Sequence, residues 1–336
     1  MKVACISTAQ VLSTRANSIQ VMKVCQALVQ NGDEVTLYVP GSETPRWQEV
    51  ADLYGLVQPF DIVTLASRSF LRRLDFSLSG IRRARRWGAE LVYTRMLWVA
   101  LLAGLRALPF VLELHDLPTG TFGPLIYRLI LRLKTPKLVV YITAALKTLT
   151  DKRFGAGGRQ GEYVIAPDGV DLERYEALPD PATARKKLGL EEALTAAYSG
   201  GFYTGRGLEL MQRLAQAFPQ VRFLWIGGSG EQVEAWRARL GEAGLQNIVL
   251  TGFIPNSQLP LYQAAADILL MPYSRSFSGS GGGDISAVSS PMKLFEYMAA
   301  GLPIIAPSYS PEIKHIIESE QCGILVDFEN PVEVAD

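Results

Sequence analysis

Short apolar runs rich in Val, Ile and Leu alternate with stretches of helical periodicity along the whole chain. In the amino-terminal half the runs predict strands at 2–7, 34–39, 61–65, 91–94, 110–114, 137–142 and 163–166. In the carboxy-terminal half they predict strands at 194–198, 221–226, 247–250, 268–271, 303–306 and 323–326. Between the first two strands, Ile19, Met22, Val24, Ala27 and Leu28 mark a helix that stops at Asn31-Gly32. Near-continuous β-branched and Leu runs spaced by helices indicate parallel strands covered on both faces. The expected fold class is therefore α/β, with two Rossmann-like, doubly wound parallel-sheet domains. They occupy 1–167 and 181–336, joined by a polar Pro- and Gly-containing linker at 168–180. Sheets of this kind bind ligands beyond the carboxyl ends of their strands. The chain ends oddly: Asn330 looks like an N-cap and Pro331 like a first helical residue, yet the sequence stops at Asp336. That pattern is expected of a chain cut before its terminal helices.

Composition narrows the class. With 336 residues, 48% of them hydrophobic, the chain has material for two cores and is not disordered. Cys5, Cys25 and Cys322 offer neither a disulfide framework nor paired metal-ligand spacing, which fits a reducing compartment. The start of the chain reads as a strand, not a signal peptide. The longest uncharged apolar run, Met96 to Leu105, is too short to span a bilayer. A soluble, cytoplasmic protein is expected.

The 33 basic and 33 acidic residues are unevenly placed, and residues 1–165 carry +9 against −9 for the remainder. A basic half attracts an anionic partner. Arg72, Arg73, Arg82, Arg83, Arg85 and Arg86 crowd one segment, interleaved with Phe76, Leu78 and Trp87. The segment suits anionic lipid headgroups at the inner face of the membrane or other polyanions, or is simply a solvated helix face. No nucleic-acid partner is expected. The stretch Leu125 to Lys134 has a wide apolar face and reads as core packing.

Several segments could carry chemistry. Residues 199–207 (SGGFYTGRG) follow a strand and open a helix, so glycine backbone and a helix N-terminus could meet a phosphate, with Arg206 adding a fork of donors. Gly227-Gly228-Ser229-Gly230 resembles part of a dinucleotide fingerprint, but Val233 stands at its third glycine position, so a structural turn is favoured. The glycine-dense loop 274–286 leads to Ser290, read as an N-cap, and Pro291, read as the first helical residue. Lys293 and Glu296 then share one helix face. His115-Asp116 follows the strand at 110–114, and His115 could stabilise developing charge or satisfy loop carbonyls. With only two histidines and no Asp-x-Asp, no metal site is expected. P-loop and esterase signatures are absent.

Together these motifs resemble the GT-B glycosyltransferases, and within them the retaining family 4. The resemblance runs through residues 16–23 (ANSIQVMK), Tyr93-Thr94-Arg95, residues 113–116 (ELHD), residues 165–171 (IAPDGVD), residues 198–201 (YSGG) and residues 291–303 (PMKLFEYMAAGLP). It implies two domains facing across a cleft, with a nucleotide-sugar donor on the second and an acceptor on the first. On that resemblance, Glu296 holds the ribose, while Arg206 and Gly201 meet the diphosphate. The segment Ser290, Pro291, Met292 and Lys293 meets phosphate or sugar. Phe253 and Ile254 lie near the base, and His115 lies beside the transferred sugar, so His115 and Glu296 are the expected catalytic pair. Asn17, Ser18 and Arg95 fall on the acceptor side.

Transfer with retention, no metal or other cofactor, and a lipid-linked or polysaccharide cell-envelope acceptor follow from the same resemblance. Two positions depart from the pattern. Val288 stands where the first of two glutamates eight apart would be, and Gly201 where many members carry an arginine, leaving Arg206 as the main cation. The competing readings are a non-catalytic nucleotide-sugar-binding protein, a GT-B sugar-nucleotide epimerase and an NAD-dependent oxidoreductase.

Overall fold

The computed structural model describes residues 1–67, 73–155, 161–277, 286 and 288–330. The chain divides into two compact units, Met1–Pro167 and Asp168–Asp336. Arg72, the loop residues 278–285 and the helix start expected at 331–336 lie outside the described residues.

The first unit runs β1 (Lys2–Ile6), α1 (Ala16–Gln30), β2 (Glu34–Pro40), α2 (Trp47–Tyr54), β3 (Asp61–Leu65), α3 (Leu74–Trp87) and β4 (Leu91–Thr94). It continues with α4 (Leu97–Gly104), β5 (Phe110–Leu114), α5 (Gly123–Arg132), β6 (Lys137–Tyr141), α6 (Ala144–Phe154) and β7 (Tyr163–Ile165). Its strands form one sheet in the order β3-β2-β1-β4-β5-β6-β7, all pairs parallel. Central β1 pairs Ala4 with Thr36 on one side and Val92 on the other, and four of its five residues are buried. Edge strand β7 is exposed throughout. The gradient explains why the inner strands read as unbroken apolar runs.

The second unit holds α7 (Pro181–Leu188), β8 (Thr195–Ser199), α8 (Leu208–Ala217), β9 (Arg222–Ile226), α9 (Gly230–Glu242), β10 (Ile248–Gly252) and α10 (Leu259–Ala264). After these come β11 (Ile268–Leu270), α11 (Met292–Ala300), β12 (Ile304–Pro307), α12 (Pro311–Glu320) and β13 (Gly323–Val326). Its sheet order is β10-β9-β8-β11-β12-β13. Trp225 is fully buried at the centre of this core, edge-on to Phe202 at 6.0 Å and Trp236 at 5.1 Å.

Residues 168–180, read as a linker, belong to the second unit: Leu172–Arg174 form a 3-10 turn and Tyr175 donates to Gln263 Oε1 at 2.9 Å in the interior. The cap of α11 also differs from expectation. Pro291 occupies the N-cap with no side-chain hydrogen bond, and the Ser290 hydroxyl instead accepts from the Asp168 backbone N–H at 3.0 Å. The stretch expected to be core is half so. On α5, Ile126, Tyr127 and Ile130 are buried, whereas Leu125 is 57% and Leu129 40% exposed. On α3 the reverse holds: Phe76 is buried and Arg82, Arg83, Arg85 and Arg86 are exposed.

Each sheet reverses its winding once, between β1 and β4 in the first and between β8 and β11 in the second. A crevice opens at the carboxyl edge where loops diverge at such a reversal. Gly201 and Arg206 follow β8, and Arg95 follows β4, the strands at the two reversals.

Candidate functional site

In the second unit, β8 ends at Ser199 and turns sharply through Gly200, whose φ is +148. That φ favours glycine, and a β-carbon at Gly200 would lie 2.5 Å from Lys293 Nζ, so the bare turn lets the ammonium settle against it. Further on, Gly207 has φ +78 and caps α8, and a β-carbon there would lie 1.8 Å from the Pro272 carbonyl oxygen. These two glycines pull the β8 turn close to the chain leaving β11.

That approach gathers two cations around aromatic rings. Lys293, in the first turn of α11, holds Nζ 4.1 Å from the Tyr198 ring centre and 4.9 Å from that of Tyr273. Arg206 Cζ lies 4.5 Å from the Tyr273 ring centre and 4.8 Å from that of Phe277. Both cations thus use the Tyr273 ring, each such contact being worth about 0.5–2 kcal/mol. Burial and the neighbouring Arg206 charge hold the Lys293 ammonium well below the usual lysine range, with Glu296 acting in the opposite sense. Two like charges kept together beside a helix N-terminus form a site for an anion.

Glu296 follows Lys293 on the same helix and is held by a buried polar chain. Gln263, fully buried on α10, donates to Glu296 Oε2 at 3.5 Å and to Ser199 Oγ at 3.1 Å, while Tyr175 donates to Gln263 Oε1. The Ser199 backbone N–H donates to Tyr297 at 2.9 Å, and the Tyr297 hydroxyl donates to the Leu270 carbonyl at 3.3 Å. A carboxylate fixed in this way is a preorganised acceptor for hydroxyl groups. At the far side of the sheet, Phe253 stands 44% exposed just beyond β10, and Ile254 packs on the core. The Gly227 N–H donates to the Gly252 carbonyl at 2.9 Å, tying the β9 and β10 loops together. Ser229 and Gln232 form a capping box at the start of α9. Val288 is buried. Gly201 leaves room that the Tyr203 ring takes up, a β-carbon there falling 2.2 Å from that ring. Arg206 and Lys293 thus stand side by side on the Tyr273 ring.

In the first unit, Arg95 leaves the end of β4 at the winding reversal. Its Nη1 donates to Asn17 Oδ1 at 3.1 Å and Gln20 Oε1 at 2.9 Å, and its Nη2 pairs with Glu113 Oε1 at 2.8 Å. His115 Nε2 contacts the same Glu113 oxygen. Burial pushes the Glu113 carboxyl up to about 7. Ser18 is 2% exposed on the inner side of α1 and is not part of this cluster. Beneath Arg95 a small cavity is lined by Cys5, Val21, Cys25, Tyr93 and Thr94. Burial and the neighbouring Cys5 raise the Cys25 thiol well above its ordinary range, which makes it a weak nucleophile.

Three contributors escape sequence reasoning. Glu113 had a signal: a lone acid inside the apolar strand FVLEL must find a partner. Gln263 and Tyr273 had none, since their roles arise from contacts far along the chain.

Comparison with known proteins bears on both units. Residues 18–174 match the family described as Glycosyltransferase Family 4, and residues 201–336 the family described as Glycosyl transferases group 1. The chain is similar to the 2-deoxystreptamine glucosyltransferase of Streptomyces kanamyceticus, 28% identical over 334 residues that cover 86% of this chain and 80% of that protein. It is also similar to the GDP-mannose-dependent alpha-(1-6)-phosphatidylinositol monomannoside mannosyltransferase of Mycobacterium tuberculosis. There it is 27% identical over 206 residues, 58% of this chain and 51% of that protein, so the match spans about half that relative's length. Among solved structures, sucrose-phosphate synthase from Thermosynechococcus elongatus superposes with a TM-score of 0.73 at 16% identity, covering 99% of this chain and 88% of that one. Anabaena HepE in complex with UDP superposes at 0.70 and 17% identity, covering 100% and 88%. At such identities these structures establish the fold alone. Fold and domain matches agree: the chain is a glycosyltransferase with the GT-B fold.

Proposed function

We propose that the protein moves a sugar from a nucleoside-diphosphate sugar to a lipid-linked or polysaccharide acceptor of the cell envelope, with retention at the anomeric carbon. The observation that carries the reading is the convergence of Lys293 and Arg206 on Tyr273 at the winding reversal, with Glu296 one helical turn away. HepE, a fold neighbour, has been solved with UDP and with UDP-glucose, which supports a nucleotide sugar as donor.

In this mechanism the glycosidic bond to the diphosphate breaks as negative charge grows on the leaving oxygens. Arg206, Lys293 and the first turn of α11 balance that charge, in place of a divalent ion. Glu296 anchors the ribose hydroxyls and fixes the anomeric carbon in place. The acceptor hydroxyl attacks the face the diphosphate is leaving, and its proton passes to a departing phosphate oxygen. His115 is assigned the stabilisation of charge developing on the transferred sugar.

The membrane part of the reading rests on the first unit. No helix among the described residues is long and apolar enough to cross a membrane. α4 packs between α3 and α5, so the α3 arginines and the exposed Leu125 and Leu129 share one side of the sheet. Arg128 and Arg132 flank those leucines and are exposed, and no acid occurs from Gly123 to Lys137. A cationic face with protruding leucines suits anionic lipid.

A thermal-shift panel of UDP, GDP, ADP, CMP and NAD with EDTA present tests the core. A nucleoside diphosphate at 100 times its dissociation constant stabilises the fold by about 2.7 kcal/mol, and that shift falls to about half or less in Glu296→Ala. A shift with NAD alone overturns the proposal. Binding without turnover on any sugar donor replaces it with the non-catalytic reading that Val288 and Gly201 invite.

A further inference from the structure

We infer that Arg174 is a positioning residue for the nucleobase of the donor: it grips Asn256 and so holds the loop from Phe253 to Asn256 in the form that tells one base from another. The inference rests on the proposed nucleoside-diphosphate site, with Phe253 and Ile254 at its base end. Arg174 closes the 3-10 turn Leu172–Arg174, and its Nη1 donates to Asn256 Oδ1 at 2.6 Å.

The loop is pinned at both ends. At its start the Gly227 N–H donates to the Gly252 carbonyl at 2.9 Å. At its far end Asn256 is buried, and its side-chain oxygen meets the guanidinium. Phe253 and Ile254 stand between the two pins, the first half-exposed and the second packed on the core. Beyond Asn256 the chain turns at once into α10, the Gln258 N–H donating to the Pro255 carbonyl at 2.9 Å. The grip starts from a fixed backbone. Tyr175, the next residue, is buried, its N–H donates to the Leu172 carbonyl at 2.8 Å and its hydroxyl donates to Gln263 Oε1 at 2.9 Å. Gln263 in turn donates to Glu296. Consecutive residues of one turn thus reach toward the base loop and toward the proposed ribose acid.

A guanidinium only donates, so the Asn256 amide must turn its oxygen toward Arg174. The cation makes this bond stronger than one between two neutral groups. Nη2 of Arg174 is buried with no hydrogen-bond partner among the described residues, so the inward side of the guanidinium is spent on Asn256. Without Arg174 the buried amide oxygen loses this donor, and the loop gains freedom that a ligand must remove on binding. The favoured base suffers most, because its contacts depend on the form of the loop. A general loss of packing would instead weaken every nucleoside diphosphate alike.

Calorimetric titration of the full-length chain with UDP, GDP, ADP and CDP gives the affinity of the best ligand and its ratio to the next. Arg174→Met is expected to weaken the best ligand about tenfold and to shrink that ratio about threefold or more. Asn256→Ala reproduces both changes, and the double variant lies within about twofold of either single one, because both cut the same link. Asn256→Asp keeps an accepting oxygen and retains the parent ratio. Equal weakening of all four ligands, additive losses in the double variant, or a parent that does not discriminate among the bases overturns the inference. Should Arg174→Met fail to fold, Asn256→Ala against Asn256→Asp decides it, and equal ratios in those two overturn it. A parent that binds none of the four removes the donor site and the inference with it. A selective parent whose ratio survives Arg174→Met removes the inference alone.

Discussion

Lys293 is the residue on which the proposed donor site turns. Removing its charge in Lys293→Met deletes one charged contact to a diphosphate, worth about 1.5–3 kcal/mol, so affinity for a nucleoside diphosphate falls roughly 10- to 150-fold. Calorimetric titration measures this. The pH behaviour follows from the depressed proton affinity of Lys293. Between that depressed value and the ordinary lysine value of 10.5, the unfolded chain binds a proton that the folded chain does not. Folding stability from this group therefore rises with pH across that window, and the rise is missing in Lys293→Met denaturation curves. Nucleoside-diphosphate affinity moves the other way, weakening as the ammonium loses its proton. A rescue tests the shared role more sharply. Gly201→Arg needs only the 58% exposed Tyr203 ring to move aside. In the Lys293→Met background it is expected to recover much of the lost affinity, and in the parent to add little, because a third cation meets two already in place.

At the scale of elements, the positions of all thirteen strands among the described residues were legible because buried parallel strands are unbroken apolar runs, and only their ends moved by a residue or two. The start of α11 was not legible. Ser290-Pro291 carries the local signature of a cap and first turn, yet the hydroxyl is claimed by the Asp168 N–H, 122 residues away. The apolar face of α5 was misjudged for a related reason, since periodicity shows that a stripe is wide but not how much of it the sheet covers. That surplus separates two membrane terms. Arg82→Ala with Arg83→Ala should weaken binding to vesicles of about one-third anionic lipid roughly 30-fold, at about 1 kcal/mol per arginine, with the loss erased by salt. Leu125→Ser with Leu129→Ser should weaken binding in high salt as well. Vesicle co-sedimentation at two ionic strengths distinguishes them. Two of the α3 arginines, Arg85 and Arg86, sit in the helix's last turn, where they also favour the helix dipole.

For the whole molecule, the sequence motifs pointed to fold and reaction class, and the structure supplied the connections among residues. Glu296, Arg206, Lys293, Gln263 and Tyr273 all lie in the second unit, and Arg95, Glu113, Asn17 and His115 all lie in the first. Partners such as Gln263 for Glu296, or Glu113 for Arg95, stayed hidden because strand order, not chain order, makes them neighbours. The division predicts two classes of variant. His115→Ala leaves the dissociation constant for the nucleoside diphosphate within about twofold while lowering turnover, whereas Glu296→Ala and Lys293→Met weaken it about tenfold or more. Equal effects of both classes on binding would contradict the division. The packing of Lys293 Nζ against Gly200 also couples the backbone of the turn to the charge on the helix. Gly200→Ala is expected to strain the turn at φ +148 and push the ammonium aside, so a loss of nucleoside-diphosphate affinity would come from a methyl group that touches no ligand.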